Sequence, residues 1–211
     1  MTRALGTLDN LVYAVPHLQE AIDDLERRLG VRSVFGGQHP GRGTHNALLG
    51  LGPGQYLEII APDPCQPQPP VSPWFTQNRI DSPRLLTWAA KATHLEGLVA
   101  EAKSNGLELG EVRDGGRKRP DGTELKWRLT STPTGVCDWL VPFFIDWGDS
   151  PHPSESAPVG ATLTLLEAEH PDPAWVLKAL RIAGVEMEVR SGPAPKLLAT
   201  LQTPKGVVVL S

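Results

Sequence analysis

A carboxylate with apolar neighbours on both sides is the first residue in this sequence that calls for a chemical explanation. It is Glu58, inside the run Tyr56, Leu57, Glu58, Ile59, Ile60. Burying such a group is costly unless it is paired, protonated or bound to a cation; a solvated edge strand is the plain alternative. By strand alternation Glu58 shares a face with Tyr56 and Ile60. His45 opens a second alternating run, His45, Ala47 and Leu49, in the segment expected to pair with the Glu58 strand. Its imidazole suits either a metal ligand or a hydrogen-bonded hairpin residue. Arg128 alternates with Glu124 and Lys126 against Leu125, Trp127 and Leu129. A guanidinium there would clamp a carboxylate or an enolate oxygen, or else pair with Glu124 or Asp146. The run Arg117, Lys118, Arg119 reads as a solvated hairpin arm. Nucleophile and nicotinamide chemistry lack their signatures: the chain has no Gly-x-Ser-x-Gly elbow and no dinucleotide fingerprint.

The elements that must position these groups recur along the chain. Leu8 to Val15 alternates as a strand, and Leu18, Ile22, Leu25 and Leu29 follow at helical spacing with Gly30 as a left-handed stop. The pattern returns as a strand at Leu85 to Ala92, a capping box at Thr93 and Glu96, an apolar stripe of Leu95, Leu98, Val99 and Ala102, and a stop at Gly106. A third copy has a strand at Ala161 to Leu166, Asp172 as N-cap, Pro173, a stripe of Val176, Leu177 and Leu180, and Gly184. The stops lie 76 and 78 residues apart, which marks a repeat. Closing strands are expected at Gln55 to Ala61, Asp138 to Trp147 and Gly206 to Leu210, with meander strands at Thr44 to Leu51 and Glu124 to Thr130. Each unit thus reads as βαβββ. The divisions are 6–62, a proline-rich connection at 63–83, 84–150 and 159–211. The glycine-rich stretch from Gly36 to Gly43 reads as a mobile hairpin tip near a site.

Composition narrows the partners. The 211 residues are 40% hydrophobic and 21% charged with a formal charge of −4, so the chain folds but offers no global basic field for nucleic acid. The 21 glycines and 21 prolines are concentrated at stops and connections rather than spread as in a disordered chain. No apolar run has the length of a signal peptide or a membrane span, so a cytoplasmic protein is expected. Cys65 and Cys137 fit no metal spacing and are expected to be reduced thiols.

Tandem βαβββ units opening with LDNLVYAVPHLQEAIDDLERRLG and closing with GQYLEIIAP resemble the vicinal oxygen chelate superfamily, in its glyoxalase-like domain branch. PGRGTHNALLGLG, RPDGTELKWRLT and LVPFFIDWGDSPHPS support the resemblance. It implies an α+β fold in which two units curl their sheets into a half-open cup, helices outside and ligand inside, with a third, partial unit at the C-terminus. The superfamily hosts isomerases, lyases, dioxygenases, thiol transferases and metal-free binding proteins, so fold alone does not choose among them. Metal-using members carry a His in the first strand and a Glu in the closing strand. Here Asn10 stands at the His position and Glu58 matches the second. His45 is then the replacement ligand for a divalent ion such as Zn, Ni, Mn, Fe or Mg, with Asn10 offering a weak carbonyl oxygen. Within such a cup, strand alternation would turn Arg128, Trp88, Phe144 and Asp146 toward a small-molecule ligand. Two readings follow: a metal-dependent lyase or isomerase, and a metal-free binding protein, which the missing His favours. The third unit either covers an edge of the cup or pairs with a second copy in a homodimer.

Overall fold

The computed structural model describes residues 7–66, 75, 80–131 and 136–211. The first unit comprises β1 (Leu8–Ala14), α1 (Leu18–Leu29), β2 (Val34–His39), β3 (Thr44–Gly52) and β4 (Gln55–Pro62). The second comprises β5 (Arg84–Lys91), α2 (Leu95–Ser104), β6 (Glu111–Lys118), β7 (Glu124–Ser131) and β8 (Phe143–Asp146). A short 3-10 turn at Pro153–Glu155 leads to the third, with β9 (Thr162–His170), α3 (Pro173–Ile182), β10 (Glu188–Ser191), β11 (Lys196–Thr203) and β12 (Gly206–Leu210). Most of the proline-rich connection, including Pro67, Pro69, Pro70 and Pro73, lies outside the described residues. No helix among the described residues is long and apolar enough to cross a membrane.

Eight strands form one sheet in the order β2, β3, β4, β1, β5, β8, β7, β6. In each of the first two units the first strand runs parallel to the last, and the two units meet antiparallel along β1 and β5. The outer edges β2 and β6 curl toward each other. Arg117 on β6 donates from Nη1 to the carbonyl of Gly36 on β2. A Cβ at Gly37, whose φ is 138°, would lie 2.7 Å from the Lys118 carbonyl, so the close approach of the edges requires glycine there. The expected tip from Gly36 to Gly43 is therefore strand as far as His39, held by β3 and by the opposite edge, and turn only over residues 40–43.

The apolar stripe of α1 is buried as its spacing predicts, and Gly30 ends the helix at φ 77°. Asp172 caps α3 by accepting from the Trp175 amide, while Leu177 turns to solvent. The capping box at Thr93 and Glu96 does not form. His94, at φ 56°, occupies the N-cap of α2 without a side-chain bond, and the Glu96 carboxylate goes to Arg128 instead. The strand expected from Asp138 shortens to four residues because Cys137, Asp138 and Trp139 take left-handed conformations, at φ 48°, 54° and 71°.

The third unit keeps the order of elements but not the pairing. Its sheet runs β10, β9, β11, β12, with β9 parallel to the strand that follows its helix rather than to the last strand. Its inner face, with Leu163, Leu166, Leu197 and Leu201, joins α1, α2 and the outer face of the large sheet in one continuous core. Leu166→Ala is expected to lower the unfolding free energy by about 2–5 kcal/mol and to shift one urea transition seen by tryptophan fluorescence. Two separate transitions would contradict a shared core.

Candidate functional site

Alternation along the cup strands sends one set of side chains to the helices and the other into a cavity of about 420 Å³. Asn10 from β1, Asn46 from β3, and Tyr56, Glu58 and Ile60 from β4 make one wall. The facing wall is mostly apolar, with Trp127 and Leu129 from β7 and Phe143 and Ile145 from β8. Arg117 enters from β6, and Arg42 stands at the mouth on the turn after β2.

Glu58 is organised by a buried hydrogen-bond chain. The Asn46 amide donates to Glu58 Oε1 at 2.6 Å and to His39 Nε2 at 3.3 Å. His39 Nδ1 then carries the ring proton and donates to Thr44 Oγ1 at 2.9 Å. Burial, aided by the positive charges of Arg117 and Arg42, pushes the His39 pKa down to about 3. The imidazole is neutral, and its 3.7 Å approach to Glu58 is not an ion pair. Burial raises the Glu58 pKa, and the nearby Asp9 adds to the rise. The Asn46 bond and the charges of Arg117 and Arg42 oppose it. Tyr56 is likewise held as a phenol by burial and by the Glu58 and Asp9 charges.

A second buried carboxylate anchors the cup floor. Asp9 is fully buried and accepts from Trp147 Nε1, at 3.3 and 3.2 Å to its two oxygens, and from His152 Nε2 at 3.0 Å. The Ser154 amide donates to His152 Nδ1, which leaves the proton on Nε2. This ties the connection to the third unit onto the sheet. Asn10, beside it, has no such partner: it is 1% exposed, lines the cavity, and neither its amide nitrogen nor its oxygen is hydrogen-bonded.

Of the residues singled out in the sequence, Asn10, Tyr56 and Glu58 meet in the cavity, and five do not. His45 lies on the opposite face of β3, near Asp63 and edge-on to Phe35, because the apolar Ala47 and Leu49 of its run pack into the helix-side core. Arg128 faces outward to Glu96 and Asp114. The outer face at β7 is partly open to solvent, so its polar residues point out and Trp127 points in. Asp146, paired in register with Arg128, is also on the outer face and accepts from the Gly148 amide. Trp88 is fully buried in the helix-side core, donating to the Leu140 carbonyl at 2.8 Å. A bulge between the Val12/Thr87 and Tyr13/Leu85 pairs shifts the alternation there and turns Thr87 inward. Phe144 follows the same outer face, leaving Phe143 and Ile145 to line the cavity.

Asn46, His39 and Arg117 were not singled out as site residues in the sequence. Arg117, read there as solvated, is 5% exposed. Its signal lay in the hairpin register: Arg117 pairs with Leu125, so it shares the inward face of Leu125 and Trp127.

A family model described as a glyoxalase-like domain matches residues 8–189. No curated protein matches the sequence. Among solved structures, a hypothetical protein from Staphylococcus aureus is similar over 97% of this chain and 98% of its own, with a TM-score of 0.69 at 11% identity. A methylmalonyl-CoA epimerase from Mycobacterium tuberculosis matches 70% of this chain and 92% of its own, with a TM-score of 0.45 at 17% identity.

A carboxyl group whose pKa rises on folding binds more protons in the native state, so its contribution to stability falls as pH rises above the ordinary value of 4.5. Glu58→Gln keeps the Asn46 bond and removes the charge. It is expected to raise Tm by roughly 2–4 °C at pH 8 and by little at pH 4. His39 works in the opposite direction below pH 6.5 but is common to both proteins. A Tm difference that does not grow with pH would contradict the raised pKa.

Proposed function

The chain belongs to the glyoxalase-like domain family of the vicinal oxygen chelate superfamily, and from that premise we propose that it is an isomerase- or lyase-type enzyme that moves a proton on a small oxygenated molecule, with Glu58 as base and no metal ion. The observation that carries this reading is a single carboxylate of raised pKa on the wall of a mostly apolar cavity, held by Asn46 and balanced by Arg117. A base poised above the usual carboxylate range is matched to removing a weakly acidic C–H proton next to a carbonyl. Asn46 holds Oε1, which leaves Oε2 to take the proton. The electron pair released from carbon moves onto the carbonyl oxygen, whose charge is offset by the guanidinium in the same low-dielectric space. Return of the proton from Glu58 to a different carbon, or to the other face of the same carbon, gives an isomer; loss of a β-substituent gives a lyase reaction.

The donor set does not fit a divalent ion. Among the described residues lining the cavity Glu58 is the one carboxylate, and two guanidiniums already oppose its charge. The lone pair at His39 Nε2 is used by Asn46, and His45 is on the far side of the sheet. A second reading, a metal-free binding protein, draws support from the apolar wall of Trp127, Trp139 and Phe143.

Incubation in D2O with a panel of 2-oxo carboxylates and 1,3-dicarbonyls, followed by proton NMR with EDTA present, separates the readings. Deuterium incorporation into at least one compound is expected, with Glu58→Gln at least about 100-fold slower. Tight binding without exchange would favour the binding protein, and loss of exchange in EDTA would overturn the metal-free mechanism.

A further inference from the structure

One polar side chain in the cavity, Asn10, lacks the partners its burial demands, and one buried cation, Arg117, has no contacting acid among the described residues. Arg117 is 5% exposed, donates to the Gly36 carbonyl, and among the described residues has no carboxylate at ion-pair distance. Asn10 is 1% exposed with both ends of its amide unpaired. A buried guanidinium whose charge is opposed by Glu58 through space but by no contacting carboxylate, and an unpaired buried amide, each cost stability unless something else satisfies them. Both face the same cavity. Arg42 adds a second cationic group at the mouth, bonded to the Asp114 backbone carbonyl rather than to an acid, whereas the nearby Arg113 is neutralised by Glu111.

We infer that the cup binds a small organic carboxylate, with the carboxylate on Arg117 and Asn10, a carbonyl next to it, and an apolar tail against Trp127 and Phe143. This rests on the proposed function in that it names the substrate class of the same site. The planar guanidinium fork matches a carboxylate in two parallel bonds, and the Asn10 amide supplies a further donor. A monoanion is the better match than a phosphate dianion, because Glu58 shares the space and would be repelled by the second charge. A cavity of about 420 Å³ takes an aryl or branched alkyl tail.

Phenylpyruvate, phenylacetone and phenyl phosphate isolate these terms, with binding read by calorimetry. Phenylpyruvate is expected to bind about tenfold or more tightly than phenylacetone, which lacks the carboxylate, and more tightly than phenyl phosphate. Arg117→Met is expected to remove the preference. Because Arg117 also joins β6 to β2, the wild-type comparison decides the matter if that variant does not fold. Equal binding of phenylacetone, tighter binding of phenyl phosphate, or no binding of phenylpyruvate at millimolar concentration would overturn the inference. The carboxylate preference is also expected in Glu58→Gln. Preference without deuterium exchange would sink the proton-transfer reading alone, and exchange of neutral carbonyl compounds without preference would sink this inference alone.

Discussion

The cost of holding one carboxylate out of water organises this cup. Glu58 sits on a strand whose other face is packed with Leu57, Ile59 and Ala61 against the helices, so the strand cannot rotate to give the side chain to solvent. What compensates comes from other strands rather than from its own. Asn46 on β3 supplies the hydrogen bond, and Arg117, far along the chain on β6, supplies charge. Asn46 in turn depends on Gly36, where a Cβ would lie 2.4 Å from its amide oxygen. Closure of the sheet and tuning of the carboxylate are thus one arrangement, since the residue that ties β6 to β2 also faces Glu58.

The third unit bears on the site indirectly. Its apolar face completes the core on the outer side of the large sheet, and the connection leading into it is pinned by His152 to Asp9, next to Asn10. Asp9 is supplied with three hydrogen bonds and Asn10 with none. Adjacent residues on one strand therefore divide the work, the first anchoring the fold and the second left open to the cavity.

The elements were legible in the sequence because their signals are local. Helical stripes, the Asp172 cap and the glycine stops at 30, 106 and 184 depend on neighbours a few residues away, and all three glycines take positive φ. Which face of each strand looks into the cup was legible only where burial was symmetric. On β4 the alternation of Tyr56, Glu58 and Ile60 was sufficient. On β7 it was misleading, because a polar face turned to solvent has the same pattern as a polar face turned to a ligand, and Arg128 proved to be the first kind. On β5 a bulge broke the alternation and carried Trp88 to the helix side. His45 headed a run of apolar residues, which is the mark of the helix-packed face. Arg117 was hidden by the charges around it, though the hairpin register pairs it with Leu125. Strand pairing, not composition, separates a buried arginine from a solvated one.

The chemistry of the cup depends most directly on the protonation of Glu58. A carbon-13 NMR titration of the glutamate side-chain carboxyls, with the Glu58 resonance assigned by its absence in Glu58→Gln, measures it in the native protein. The predicted result is a midpoint above the ordinary value of 4.5, because burial and Asp9 outweigh Asn46 and the two arginines. A midpoint at or below that value would mean that the carboxylate is a satisfied structural ion, and the proton-transfer role would fall with it.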